Sequence, residues 1–275
     1  GASGEISLQY TVNIPVDYSE NFVEISGSFD DGAGYSGSTG KTTLVVVAED
    51  LGIFQGHQDI GSPGAPGNVS VEGDAYQIIG SGHDIWDAAD DFHFLWMRVS
   101  GDFTFSIDEP YIGSYGSNPS ANVWQKMGIM ARQELTASSP YVYGCLRSSD
   151  QGLMLQWRDS DGAGAAWDGG GTLTACSEWN PNYDPALSDG VNNPSLDEVN
   201  LGGTIKLTRE GDFFTLWYVY DNEDWYQYEH QLAMTDPIYL GVAVTSHTTG
   251  ATSQGIFKNP QIEGTVVNVK GWMLY

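Results

Sequence analysis

Four tryptophans stand where an indole face can meet a ligand. Trp157, Trp167, Trp179 and Trp225 fall at strand ends or in loops of a chain with nine tryptophans. A flat indole offers its face to the C–H surface of a sugar ring, and polar groups beside it fix orientation. Arg158, next to Trp157, is the cation grouped with this set. Trp86, Trp96, Trp124 and Trp217 sit among alternating apolar residues and are read as core. Asp159 and Asp161 stand two apart before Gly162, a spacing that supplies part of a calcium loop, without the later ligands of an EF-hand. Asp84, Asp87, Asp90 and Asp91 form a second acidic group, read as turn and cap residues.

Lys126, Arg132, Arg147 and Arg158 are four of only ten basic residues. Period 2 places Lys126, Met130 and Arg132 on one face of a strand. That face is either a polar surface for an acidic or hydroxylated ligand or a set of ion pairs with the surplus carboxylates; ion pairing is the expectation. Nucleophile and metal signatures are missing: there is no G-x-S-x-G, no H-E-x-x-H and no phosphate loop before a helix. The histidines, His57, His83, His93, His230 and His247, are not at ligand spacing. His83 and His93 are within reach of each other across strands but are read as structural.

The elements that must position these residues are strands. Phe92–Val99, Phe103–Ile107, Val123–Arg132, Tyr141–Arg147, Leu153–Trp157, Thr204–Thr208, Phe213–Tyr220, Ile238–Thr245 and Gly255–Ile262 are short β-rich runs with turn residues between them. Gly101-Asp102 reads as a hairpin turn. Asp221–Asp224 reads as another. Ser195–Val199 is the best short helix candidate, and 176–200 reads as a long surface excursion. Near the N-terminus Ile6, Leu8, Tyr10, Val12, Ile14 and Val16 alternate with polar residues, the pattern of a half-buried strand that Pro15 confines to an edge. Ser26–Gly40 reads as a mobile Gly/Ser-rich loop, and Thr42–Ala48 as a strand covered on both faces. Many short strands with Gly-rich turns predict an all-β jelly-roll sandwich of two antiparallel sheets. The expected division is an N-terminal β extension (1–48), a sandwich (49–264) and a C-terminal β tail (265–275).

Several phrases follow one another in a meaningful order: GSGHDIW at 80–86, DDFHFLW at 90–96, WQKMGIMAR at 124–132, YVYGCLRSSDQGLMLQWRDSDG at 141–162, LTREGDFFTLWYVYDNEDW at 207–225 and YLGVAVTSH at 239–247. Together they resemble the concanavalin A-like (laminin G-like) β-sandwich of secreted bacterial proteins, over roughly Leu51–Gly264. The resemblance implies the sandwich fold and an extracellular or cell-surface setting, and by analogy raises the prior for structural calcium. Related sandwich glycosidases carry Glu-x-Asp-x-x-Glu or a similar cluster on one strand, which puts acid and nucleophile on one face. No such run occurs here; Glu109 stands alone in SIDEP.

Composition narrows the partners. Ten basic against 36 acidic residues give a net charge of −26, which repels phosphates and excludes nucleic acid and anionic membrane surfaces. No run of about 18 apolar residues predicts a membrane span. The sequence opens at Gly1 without a secretory h-region, and a processed mature form is expected. A chain of 275 residues buries roughly 70–75% of its unfolded surface, enough for a core without cofactor or staple. The two cysteines, Cys145 and Cys176, either form a disulfide or remain two buried thiols. A bridge would close a loop of about thirty residues and contribute roughly 3–4 kcal/mol. The leading expectation is a non-catalytic secreted surface protein that binds a polysaccharide or cell-surface glycan, or acts in adhesion. The second is a subunit of a homo-oligomer or extracellular filament, built when the Ile6–Val16 strand adds to a neighbour's sheet. The alternative is that Gly1–Ala48 simply completes its own sandwich. The third is a glycan-active hydrolase.

Overall fold

The computed structural model describes residues 50–120, 122, 124–147, 152–168, 198–200, 202–220 and 223–267, with backbone alone at 22–25, 28–30, 36–38, 42–45, 152, 168, 198–200, 220 and 223–227. The chain divides into two compact units, Gly1–Asp50 with Val269–Tyr275, and Leu51–Asn268. In the first unit β1 (Phe22–Ile25) pairs antiparallel with β4 (Thr42–Val45), Phe22 opposite Val45. Strands β2 (Ser28–Asp30) and β3 (Ser36–Ser38) make a second ladder inside the stretch that reads as a loop in sequence. The alternating residues Ile6, Leu8, Tyr10, Val12, Ile14 and Val16 lie outside the described residues.

The second unit is built from β5 (Gly56–Ile60), β6 (Asn68–Glu72), β7 (Ala75–Gly82), β8 (Phe92–Ser114), β9 (Lys126–Arg132), β10 (Tyr141–Arg147), β11 (Gly152–Arg158), β12 (Ala166–Asp168), β13 (Glu198–Asn200), β14 (Thr204–Glu210), β15 (Phe213–Tyr220), β16 (Glu223–Gln231), β17 (Ile238–Thr245) and β18 (Thr248–Val266). It is an all-β antiparallel jelly-roll sandwich with no helix among the described residues. One sheet, here the front, runs β12-β11-β10-β9-β17-β8-β5. The back sheet runs β16-β15-β14-β8-β18-β7-β6. Strand β8 belongs to both, because its first part pairs with β17 and β5 and its second part with β14 and β18.

That shared strand corrects the expected hairpin at Gly101-Asp102. The chain continues through these residues as one strand. Phe103 pairs with Gly264 and Ser100 with Thr265, so Gly101 and Asp102 form a bulge. Gly101 has φ 72°, a left-handed backbone open to glycine. A bulge bends and twists a strand, which is what a strand passing between two sheets requires. The helix expected at Ser195–Val199 is also corrected: Glu198 and Val199 lie in β13, with Val199 opposite Ile112 of β8.

The main core lies between the sheets. Leu95, Met127, Ile129, Val142, Leu155 and Val242 of the front sheet meet Ile78, Phe105, Leu207, Phe214, Leu216 and Phe257 of the back sheet. Gly144 faces this gap, where an added Cβ would lie 2.4 Å from Leu216 Cδ1. Back-sheet strands follow the expected alternation, as in β14, where Ile205, Leu207 and Arg209 point in. Front-sheet strands β9 and β10 are buried along their whole length, so both faces are covered. What covers their outer face defines the candidate site.

Candidate functional site

Alternation sends Lys126, Met130 and Arg132 of β9, Tyr141, Tyr143, Cys145 and Arg147 of β10, and Met154, Gln156 and Arg158 of β11 to the outer face of the front sheet. The segment 83–91, between β7 and β8, lies over the middle of this face. Its Ile85 is fully buried in a second apolar cluster with Phe92, Phe94, Met130, Tyr141, Tyr143, Cys145 and Met154. The polar groups of the floor hold this segment down. Gln156 Nε2 donates to the Ile85 carbonyl at 2.7 Å and to the Tyr141 hydroxyl at 3.0 Å. Lys126 Nζ meets Asp84 Oδ1 at 2.7 Å, and His247 Nε2 meets Asp84 Oδ2 at 3.1 Å. Burial opposes ionisation of Asp84, but the His247 hydrogen bond and the Lys126 charge outweigh it and hold the carboxyl below its ordinary value.

Arg158 is the hub of this arrangement. Its Nη2 and Nη1 donate to the two carboxylate oxygens of Asp90 at 2.6 and 2.8 Å. Its remaining N–H groups reach the carbonyls of Trp86, Asp87, Ala137, Ser139 and Ala163. One guanidinium therefore ties together the segments around 87, 138 and 163. Arg132 lies 3.6 Å from Asp90, donates to Glu134 and Thr136 carbonyls, and sits over the Phe92 ring. Arg132, Arg158 and Asp90 side chains have no exposure. Burial pushes the Asp90 carboxyl up, and both arginines pull it back. Burial pushes Arg132 down to about 10, with Asp90 opposing. Burial also opposes the Arg158 charge, but the bonds to Asp90 raise it overall.

An open rim lies beyond this sealed middle. Trp124 and Trp167 are 45% and 46% exposed, while most other large apolar side chains are covered. The Arg147 guanidinium lies over both rings, 5.7 Å from the Trp124 centroid and 5.6 Å from that of Trp167. Half-buried Trp86 has Lys126 Nζ 5.5 Å from its ring centroid. Two partly exposed indoles thus share one guanidinium, which brings apolar ring surface and a positive charge together at this end of the face. Trp124 is placed by its turn: its amide donates to the Asn122 side chain at 2.9 Å, so it precedes β9 rather than lying in it.

The structure separates the residues expected to act together. Trp167 is on the exposed rim. Trp157 is not: it shares the inner face of β11 with Leu153 and Leu155, packs against the main core, and is covered by the His230 ring at 4.0 Å. Arg158, expected at the ligand surface, is buried with every N–H engaged. Asp159 pairs with His230 at 2.7 Å and Asp161 accepts from Ser138 Oγ at 2.7 Å, so the two aspartates turn to different partners. Among the described residues no group of three or more His, Cys, Asp or Glu is placed to hold a metal ion. Cys145 is buried on β10; Cys176 and Trp179 lie outside the described residues, as does the Trp225 side chain. Ion pairing, the expected use of the cation row, accounts for Lys126, Arg132 and Arg158. Of the histidines, His93 meets His57 rather than His83, at 2.9 Å, and His83 lies near His247.

No family model matches the chain, and no curated protein matches it. Solved structures similar to it include a functionally unknown protein from Saccharomyces cerevisiae, 14% identical over 74% of this chain and 94% of that one, with a TM-score of 0.47. A legume lectin-like domain from Entamoeba histolytica is 10% identical over 76% of this chain and 90% of that one, with a TM-score of 0.41. A lectin from Bauhinia forficata in complex with GalNAc is 9% identical over 90% of this chain and all (100%) of that one, with a TM-score of 0.40. No residue role passes from these structures to this chain.

Proposed function

We propose that this protein is a non-catalytic carbohydrate-binding module of the extracellular space, and that Trp124, Arg147 and Trp167 are its platform. The observation that carries this reading is the pair of exposed indoles oriented by one guanidinium. A neutral, hydroxylated polysaccharide suits the surface: its ring C–H faces stack on indole, and a chain of net charge −26 disfavours polyanions. The outer face supports a binding role over a hydrolytic one, since its carboxylates Asp84 and Asp90 are engaged with Lys126, His247, Arg132 and Arg158 rather than facing an open groove.

Affinity electrophoresis against neutral and acidic polysaccharides, with and without calcium, tests this. Trp124→Ala and Trp167→Ala each weaken binding about tenfold, equivalent to about 1.4 kcal/mol. The urea midpoint of each variant stays near the parent's, because both rings are exposed. Unchanged binding in the double variant sinks the proposal. Calcium-dependent binding that survives both substitutions would move the site elsewhere.

A further inference from the structure

An exposed ring is not located by packing. Trp124 is 45% exposed, and ordering such a side chain when a ligand arrives costs affinity, so what holds it beforehand matters. Arg147 lies over the ring, but the backbone from which the ring projects is placed by the residues before it. Tyr115, Asn118, Ser120 and Asn122 are laid along 246–252. The amides of Tyr115 and Ser120 donate to the Thr252 carbonyl at 3.1 and 3.0 Å, the Thr252 amide donates to the Asn118 carbonyl at 3.0 Å, and Asn118 Nδ2 donates to the Gly250 carbonyl at 2.9 Å. Ser120 Oγ donates to the Ser246 carbonyl at 2.6 Å. Asn122 is the last described anchor before Trp124, and its side-chain amide works in both directions. Oδ1 accepts from the Trp124 amide at 2.9 Å, while Nδ2 donates to the His247 carbonyl at 3.0 Å and toward Thr248 Oγ1 at 3.5 Å. The Asn122 carbonyl accepts from the Gln125 amide at 3.2 Å. His247 has φ 56°, a left-handed backbone that a residue other than glycine keeps only where its surroundings hold it. Asn122 holds its carbonyl, and Asp84 holds its ring at 3.1 Å.

We propose that Asn122 is the positioning residue of the platform, an inference that rests on the reading of Trp124 as a binding surface. Its side-chain amide clasps the turn of Trp124 to the β17–β18 turn at His247, and this junction holds the indole ready for a sugar ring. A side-chain turn by itself needs only an acceptor for the Trp124 amide, which an aspartate also supplies. The clasp needs an N–H donor as well, for the His247 carbonyl, and a carboxylate has none. Asn122→Asp therefore separates the two halves: it keeps the bond to the Trp124 amide and sets an acceptor against the His247 carbonyl. Because His247 also holds Asp84, the same junction ties the platform to the segment 83–91 that covers the sheet.

The test is a proton–nitrogen correlation spectrum of the full chain, with Trp124→Phe assigning the Trp124 indole signal. In the parent protein the Asn122 side-chain amide protons should show nuclear Overhauser contacts to Thr248; their absence overturns the clasp without any variant. The heteronuclear Overhauser effect of the Trp124 indole should fall in Asn122→Ala and in Asn122→Asp. That of the buried Trp96 indole should stay at its parent value and show that both variants are folded. If Asn122→Asp matches the parent, the turn alone suffices and the proposal is overturned. Affinity electrophoresis with laminarin and hydroxyethylcellulose adds the binding arm, in which both variants should bind about threefold to tenfold more weakly. Unchanged affinity in both, beside a weakened Trp124→Ala, also overturns it. In the Trp124→Ala background Asn122→Ala should cause no further loss; a further loss of the same size means that Asn122 touches the ligand itself and is not a positioning residue. If Trp124→Ala binds as the parent does, the platform reading fails, and the indole measurement still decides whether the clasp holds the ring.

Discussion

Asp90→Asn removes one charge and changes almost no volume, so it isolates what the buried carboxylate does. Asp90 faces two guanidiniums without exposure, at 2.6 and 3.6 Å. The local cluster holds three cations, Lys126, Arg132 and Arg158, against two carboxylates, Asp84 and Asp90. In the variant the amide oxygen accepts one Arg158 bond, while the amide nitrogen meets a guanidinium donor to donor. Asp84 cannot replace the charge, since it is held by Lys126 and His247. Breaking a buried pair from one side costs about 3–5 kcal/mol, a large share of a domain stability of about 5–15 kcal/mol. Urea unfolding followed by tryptophan fluorescence measures it. With a slope of roughly 1–3 kcal/mol/M, the midpoint should fall by about 1 M or more. The Arg158 carbonyl contacts should loosen too, exposing amides near Ala137 and Ala165 to hydrogen exchange, because Asp90 N and Ala165 N close those segments. A loss under about 0.5 kcal/mol, the range of an ordinary surface change, would refute the hub.

Two further outcomes follow from packing and protonation. Gly144→Ala places a methyl 2.4 Å from Leu216 and should destabilise by about 1–3 kcal/mol in the same urea assay; the addition of Leu216→Val should recover part of this by making room. Asp84 has its carboxyl held below 3.8, so its contribution is fully present above that value and is lost as pH falls through the lower folded one. Acid unfolding of the parent and of Asp84→Asn should therefore differ by about 2 kcal/mol at mild acidity and converge in strong acid; parallel curves would remove Asp84 from the linkage.

Regular elements are legible because alternation is a local signal. Tyr141–Arg147, Phe213–Tyr220 and Ile238–Thr245 stand in the structure with the bounds that the sequence predicts. Errors arise where identity depends on a partner far along the chain. Gly101-Asp102 has the composition of a hairpin turn, and only the register with Gly264 and Thr265 makes it a bulge. Trp124 reads as part of the strand Val123–Arg132 because apolar β9 follows it; the signal that displaces it is Asn122, whose side chain accepts from the Trp124 amide in a turn. Trp157 and Trp167 look alike in sequence, yet the parity of β11 turns Trp157 inward with Leu155, whereas β12 leaves Trp167 outside. The Arg158–Asp90 pair spans 68 residues and joins a strand to an irregular segment, where no periodicity fixes direction.

The sealed middle of the outer face is the reason the proposed platform lies at its end. A jelly-roll sheet with both faces covered needs something to cover the second face, and here a segment of irregular backbone does so. Irregular backbone brings carbonyls that must be satisfied. Long cations on the floor meet that need and that of the adjoining turns: Lys126 serves the Ile85 carbonyl and Arg158 those of Trp86 and Asp87 in the cover, while Arg158 also serves Ala137, Ser139 and Ala163 and Arg132 serves Glu134 and Thr136. Their charges then require Asp84 and Asp90 from the covering segment itself, which fixes its position from both sides. The same groups that would make a polar ligand floor are consumed in closing it. Among the described residues of this face, tryptophan rings stay exposed where the cover ends, at Trp124 and Trp167 beside Arg147.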